Sequence, residues 1–315
     1  MRFSLAILPL LLLSVTADAE KYNSITTAGY SSLDYDLDVL GGEFDLDGNQ
    51  FLAETTYYFS GKETLGPLKE FEYINKVSNV SAAFFHNEVD NNNADNYAVT
   101  GEYFSQNGLI FGVDLTEVND RNINTVALGY LFTPNFLLEL SHTDFESDEE
   151  TYVEFRYNHP LSGTDYIGFD FVSDDGFDVA VFSSKYFTSL GGGRYLTTEL
   201  SYADYEGDDD YWQIGADYFF SQSTSFGMKL DEKDDMKLAF THFFSRNIAL
   251  EAAYSTMEAD DNINIRSFGS DTYRAGYTST LDVMPDLEND TVLSFLTPFI
   301  ELDVEKFELS VIFQL

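Results

Sequence analysis

The chain is 315 residues long and sets 16 Lys plus Arg against 55 Asp plus Glu, a formal charge of −39. That imbalance argues against nucleic acid or an anionic lipid surface being held by the chain's own charge, because both need a basic face. With no Cys there is no disulfide framework, and 21 Tyr and 29 Phe beside only 6 Pro is the composition of strands rather than helices.

The N-terminus reads in three steps. Met1-Arg2-Phe3-Ser4 supplies one positive charge, Leu5 to Leu13 is an apolar run, and Ala17-Asp18-Ala19 is a small-x-small cleavage site. The run is far shorter than the roughly 20 residues a membrane helix needs. Residues 1–19 are therefore expected to be a secretory signal peptide and residues 20–315 one exported domain.

Beyond that leader, period-2 alternation recurs nearly everywhere and helical periodicity is scarce. Asp45-Leu46-Asp47-Gly48-Asn49 looks superficially like a calcium loop but lacks the spacing and terminal Glu of an EF-hand, so a solvated turn is expected. Gly66-Pro67, followed by Leu68, Phe71 and Ile74, suggests a short helical turn. Val126, Leu128, Tyr130 and Phe132 alternate with Thr125, Ala127 and Gly129. Phe136, Leu138 and Leu140 alternate with Glu139 and Ser141, and Val153, Phe155 and Tyr157 with Glu154, Arg156 and Asn158. Trp212, Ile214, Ala216 and Tyr218 alternate with Gln213, Gly215 and Asp217, and Ile248, Leu250, Ala252 and Tyr254 with Ala249, Glu251 and Ala253. Each run is about the 9–11 residues that carry a tilted strand across a bilayer. Fifteen candidate strands lie between residues 22 and 258 and the C-terminal run makes sixteen; Thr272–Val283 and Thr291–Leu302 would raise the count to eighteen.

The strand ends differ. An aromatic or apolar pair followed by Ser or Thr recurs as Tyr58-Phe59-Ser60, Tyr103-Phe104-Ser105, Leu131-Phe132-Thr133, Tyr186-Phe187-Thr188, Phe219-Phe220-Ser221 and Phe243-Phe244-Ser245. Tight turns such as Gln106-Asn107-Gly108 follow several copies. Aromatics gathered at one strand end form a girdle at the headgroup level. The opposite ends are acidic or Asn-rich: Glu88 to Asn96, Glu146 to Glu150, Asp174-Asp175-Gly176, Glu206 to Asp210, Asp231 to Asp235 and Glu258 to Asn262. An up-and-down barrel has this polarity, with short turns in the periplasm and polar loops outside.

At the C-terminus Phe307, Leu309, Val311, Phe313 and Leu315 alternate with Glu308, Ser310, Ile312 and Gln314. This run resembles the terminal-strand signal of Gram-negative outer-membrane β-barrels, which the barrel-assembly machinery reads, although the family usually ends in Phe or Trp rather than Leu. Over residues 20–315 the chain resembles the porin-like outer-membrane families. The resemblance implies an all-β, antiparallel, up-and-down transmembrane barrel of sixteen or eighteen strands in the outer membrane, touching lipid and lipopolysaccharide. It also implies a homo-oligomer, since many sixteen-stranded porins are trimers.

Little in the sequence points to catalysis. His86, His142, His159 and His242 stand alone without metal-ligand spacing. Ser141, His142 and Asp144 invite a triad reading, but neighbours on a strand point to opposite faces. No cofactor is expected beyond Ca²⁺ or Mg²⁺ held loosely by the acidic loops. If the apolar face meets lipid, the other face presents Glu54, Glu102, Asp114, Glu139, Glu154, Asp170, Glu199, Asp217, Glu251 and Glu308, with Arg156 as the one clear base and Lys237 and Arg274 as further candidates. Carboxylates at regular positions cannot face hydrocarbon and require a wet lumen. The expectation is a non-enzymatic, cation-preferring channel for small hydrophilic solutes. The competing expectation is a structural or adhesive barrel whose acidic loops bind ions, lipopolysaccharide or a partner. The polarity of the rims is testable with epitope tags on intact cells: a tag at Asp208 should be reached by antibody and one at Asn107 should not, and the opposite labelling would invert the topology.

Overall fold

A strand that alternates apolar and polar side chains has one face for lipid and one for water, and in a bilayer only a closed sheet leaves no unpaired backbone edge. The computed structural model describes residues 20–39, 42–89, 92–119, 121–145, 148–205, 210–259 and 300–315. The first eight strands are β1 Lys21–Val39, β2 Gly42–Glu63, β3 Asn79–Val89, β4 Asn92–Phe104, β5 Leu109–Val118, β6 Arg121–Thr133, β7 Phe136–Asp144 and β8 Glu149–Pro160. The second eight are β9 Tyr166–Asp174, β10 Val179–Gly191, β11 Arg194–Tyr205, β12 Tyr211–Ser221, β13 Thr224–Asp231, β14 Met236–Ser245, β15 Ile248–Ala259 and β16 Ile300–Gln314. Each pairs antiparallel with its neighbours in chain order, and β1 pairs with β16 to close the barrel.

The strand count is sixteen. β15 pairs directly with β16 from Ile248↔Phe313 to Ala259↔Leu302, so no room exists between them for two further strands. Of the two extra strands suggested by the sequence, Thr272–Val283 lies outside the described residues, and the end of Thr291–Leu302 is the start of β16. The signal peptide expected at 1–19 also lies outside the described residues.

Antiparallel order places every even-numbered strand end at one rim, and all six aromatic-Ser/Thr repeats end even strands. One member of each pair points outward, with Phe59, Tyr103, Phe132, Phe220 and Phe244 at least half exposed. Its neighbour points inward, and Phe187, Phe219 and Phe243 are buried. The girdle is thus built on both sides of the wall. At Gly108, φ is +91° and an added Cβ would lie 2.7 Å from the Leu131 carbonyl oxygen, so this turn after β4 requires glycine.

Two local expectations fail. Asp45–Asn49 is not a turn but part of β2, with exposed Asp45 and Asp47 opposite Asp36 and Asp34 of β1. Asp303 and Glu305 of β16 flank the same two positions from the other side. These outward carboxylates continue the rows of Tyr30, Phe51 and Phe307 past the apolar belt, which explains why strand residues there are acidic. The second fails only in part: after Gly66-Pro67 a single turn forms, closed by the Glu70 N–H on the Pro67 carbonyl at 3.2 Å, but no helix follows it, and residues 64–78 form an irregular connection between β2 and β3 that bends into the barrel.

The acidic rim has one titrating group of note. In the β13–β14 turn, burial and then the Asp231 charge push the Asp235 carboxyl up to about 7, against the pull of the Glu258 N–H and Lys233. A carboxyl raised in the folded state stabilises its protonated form, so this turn loses stability as pH rises from about 4, the unfolded value, towards about 7. Asp235→Asn keeps the acceptor for the Glu258 N–H and removes the charge. It should protect the Glu258 amide from hydrogen exchange more than wild type does at pH 8, with the difference vanishing below pH 4.

Candidate channel lumen

All eleven residues expected on the inner face lie on the side opposite the exposed apolar rows. Glu139, Glu154, Arg156 and Asp170 are buried, while Leu140, Phe155 and Phe169 beside them in sequence are exposed. The same alternation turns Glu54 inward beside outward Phe51 and Tyr57, Glu102 beside Tyr103, and Asp114 between Val113 and Leu115. Glu199 precedes outward Leu200, Asp217 follows the outward row of Trp212 and Ile214, and Glu308 sits between Phe307 and Leu309. Glu251 shares its face with buried Ala249 and Ala253.

The inner carboxylates are not a free ring. Arg156 on β8 faces Asp170 on β9, donating Nε–H to Asp170 Oδ1 at 2.7 Å, and its Nη2 lies 2.8 Å from Glu154 Oε1. Lys185 on β10 faces Glu199 on β11 at 3.5 Å. Lys229 reaches the same Glu199 from β13, at 3.1 Å, and its stem passes over Gly215 of the intervening β12, where a Cβ would lie 3.0 Å from Lys229 Cγ. Lys306 on β16 pairs with Glu308 at 3.5 Å and donates to Gln50 of β2 at 2.8 Å. Lys237 is exposed on the inward row with Ala239 and Thr241, and Arg274 lies outside the described residues. The sequence reading recognised Arg156 and underestimated the bases, because Lys185 and Lys229 stand in weakly alternating stretches.

Residues 64–78 fill part of this interior at the aromatic rim. Leu68 packs against Phe243, Ala249 and Ile312, donates its N–H to the Gln222 carbonyl and accepts from Gln314 Nε2. Lys69 lies 3.3 Å from Asp217 and 3.8 Å from Glu251. Glu70 is buried and accepts from Tyr166 Oη at 2.8 Å and from Lys185. Tyr73 and Ile74 are buried with Ile110, Leu137, Tyr166 and Phe187, and the Tyr73 hydroxyl donates to Asp170. Asn75 donates to Glu102 at 3.1 Å. The partners come from β4, β5, β7, β9, β10, β12 and β14 to β16, so the segment meets the wall on opposed sides of the interior.

The triad reading gains nothing: Ser141 and His142 occupy opposite faces of β7, and His142 Nδ1 lies 3.0 Å from Thr151 Oγ1 on the outer side. Among the described residues no three His, Cys, Asp or Glu side chains come together to hold a metal ion.

A family model described as "Putative general bacterial porin" matches residues 3–280. The chain belongs to that porin family. No curated protein matches it in sequence. Solved structures similar to it include the outer membrane protein Omp33 of Acinetobacter baumannii, at 14% identity and TM-score 0.47 over 95% of this chain and 100% of that one. OccK7 (OpdD) of Pseudomonas aeruginosa is similar at 8% identity and TM-score 0.48, over 94% and 99%. OprD of the same organism is similar at 11% and 0.43, over 95% and 96%.

As an outer-membrane porin the molecule belongs to a class of channels rather than enzymes, and its inner wall is the functional surface. Among the described residues the Arg156 cluster is the most buried set of ion pairs between strand residues of that wall, with all three side chains no more than 10% exposed. Removing the base of such a cluster strands two buried carboxylates and costs about 3–5 kcal/mol. Arg156→Met should therefore lower the temperature at which the detergent-solubilised barrel unfolds on heating, and adding Asp170→Asn should recover part of the loss.

Proposed function

We propose that this porin lets small hydrophilic solutes diffuse passively across the outer membrane, with a modest preference for cations. The observation that carries the reading is the division of the strands, over the bilayer belt, into an exposed apolar outer row and an inner row that carries the charged side chains, which in lipid calls for a water-filled interior. Sixteen strands are enough to leave an aqueous channel rather than a packed core.

The preference for cations is weaker than the sequence count of ten acids to one base implies. Five wall bases, Arg156, Lys185, Lys229, Lys237 and Lys306, face inward, and Lys69 joins them from the connection after β2. The acids keep the majority. Among the described residues Glu54 and Asp114 have no ion-pair partner, so they contribute most to the unbalanced field. Exported as its N-terminus suggests, the porin would sit with the acidic rim outwards, where divalent ions bridging lipopolysaccharide phosphates would screen it.

In a KCl gradient across a planar bilayer the reversal potential should have the sign of K⁺ preference and shrink as rising salt shortens the screening length below about 10 Å. Glu54→Gln together with Asp114→Asn should reduce it. Anion preference in the unmodified protein would overturn the lumen assignment. The wall-to-wall course of residues 64–78 favours one competing reading, a barrel that is closed and structural or adhesive. A complete absence of current would select it.

A further inference from the structure

Among the described residues, 64–78 reach into the tube without being part of its wall. We infer that residues 64–78 are the constriction of this channel, a fixed filter that sets its size limit and conductance and redistributes the lumen's charge. The inference rests on the channel reading above and adds the place where passage is limited.

Three observations support it. The first is position. The segment enters from the aromatic rim and touches inward side chains on opposed walls: Phe104, Ile110, Leu131 and Leu137 on one, Phe243, Ala249 and Ile312 on the other. A solute moving along the axis must pass beside it. The second is fixation. Its apolar side chains Leu68, Tyr73 and Ile74 are each no more than 6% exposed, as is Glu70. Tyr73 lies in an aromatic row, with ring centroids 5.6 Å from Tyr166, 5.6 Å from Tyr166 to Phe187 and 5.8 Å from Phe187 to Tyr195. Arg156 stands 6.0 Å over the Tyr73 ring. The wall is shaped to receive that ring: at Gly168 on β9 an added Cβ would fall 2.3 Å from Tyr73 Cζ. A segment meant to swing freely would not be packed on both sides with its hydroxyl, carboxyl and ammonium groups all engaged.

The third observation is charge. Lys69, Glu70, Glu72 and Lys76 sum to zero within the segment, but they are not spent equally. Glu72 and Lys76 pair with each other, whereas Lys69 sits between Asp217 and Glu251 on the wall and Glu70 against Lys185. Lys69 thereby offsets one charge of the Asp217 and Glu251 pair, while Glu70 takes up Lys185, so the segment shifts where the lumen's charge lies without changing its total. The inward aromatics of the rim repeat acquire a reason too. Phe187 and Phe243 would stand in lumen water if nothing covered them, and Phe219 lies 6.0 Å under the Lys69 ammonium.

The test compares single-channel conductance and exclusion of neutral polyethylene glycols of graded size for three porins reconstituted in planar bilayers. They are the full chain, a variant with residues 64–78 replaced by a short Gly-Ser turn, and Gly168→Val. Valine suits a strand, so Gly168→Val keeps the barrel while its side chain occupies the space of the Tyr73 ring, and it stands in should the deletion fail to assemble. The expected result is that conductance roughly doubles or more in the deletion variant and rises in Gly168→Val, that larger polymers enter, and that in a fourth porin, Lys69→Gln, the reversal potential in a KCl gradient moves further towards K⁺. Conductance and exclusion size unchanged from the full chain, in either assembled variant, would overturn the constriction and leave the channel reading standing. Current from the deletion variant alone would overturn a fixed filter in favour of a seal. No current from any of them would end the channel reading and this inference with it.

Discussion

Closure of the sheet is the constraint on which the rest of this molecule depends. Hydrocarbon offers no hydrogen bonds, so a strand with a free edge inside the bilayer is costly, and the first and last strands must find each other. Here Ile25↔Gln314 through Val39↔Ile300 join β1 to β16 along the full length of the terminal strand. The C-terminal alternation serves that closure twice: Phe307, Leu309 and Phe313 extend the outer apolar rows while Lys306, Ser310 and Gln314 are buried inside. Once the sheet is closed, a period of two leaves an inner face that is free to be polar where the outer one is greasy.

That inner face then faces a second problem. Acids placed at alternate positions on neighbouring strands come opposite one another, as Glu139 and Glu154 do across β7 and β8. Like charges directly opposite are unfavourable, and burial sharpens the cost. The structure meets it with long bases that bridge both along a strand and across to its neighbours. Arg156 is shared between Glu154 and Asp170, and Glu199 between Lys185 and Lys229. The second bridge depends on Gly215, because a side chain there would meet the stem of Lys229 on its way across β12. A glycine that looks like a weak strand residue is therefore part of the electrostatics.

The strands, the two rims and the inward face of all eleven named residues were legible in the sequence, because each depends only on alternation between neighbours, which lipid enforces strand by strand. What was not legible depends on contacts between distant residues. Lys69 meets Asp217, Glu70 meets Tyr166 and Leu68 meets Gln314 only after the barrel has closed, and nothing in the irregular run 64–78 announces which side of the rim it takes. A signal was nonetheless present. In each rim repeat two adjacent residues are apolar, so one of them must point inward, and large inward rings such as Phe219 and Phe243 call for a cover that the wall itself does not supply. Asp45 and Asp47 misled in the opposite direction. Asp is rare in strands that are half buried, but the objection lapses where the outer face has left the lipid.

That departure also fixes where the membrane ends. On the outer face of the β16–β1–β2 seam, Tyr30, Phe51 and Phe307 are the last large apolar residues towards the acidic rim. Asp34 then lies between Asp47 and Glu305, and Asp36 between Asp45 and Asp303, carboxylate beside carboxylate with no base among the described residues on those rows. Such a ladder is tolerable only in water with mobile counter-ions, since in hydrocarbon a single carboxylate at depth is already costly. The hydrocarbon boundary therefore falls between Tyr30 and Asp34, within the hydrogen-bonded length of β1. Strands β1, β2 and β16 run on beyond it as a wall standing in the headgroup layer, and their inward residues Leu33, Tyr35 and Val304 pack into an apolar cluster behind it. The alternation so reverses its sense with height: greasy outside and charged inside within the bilayer, charged outside and greasy inside above it. Both halves obey the same rule, that each face takes the character of the medium it meets, and the crossover between them marks the interface more sharply than either girdle of aromatics does.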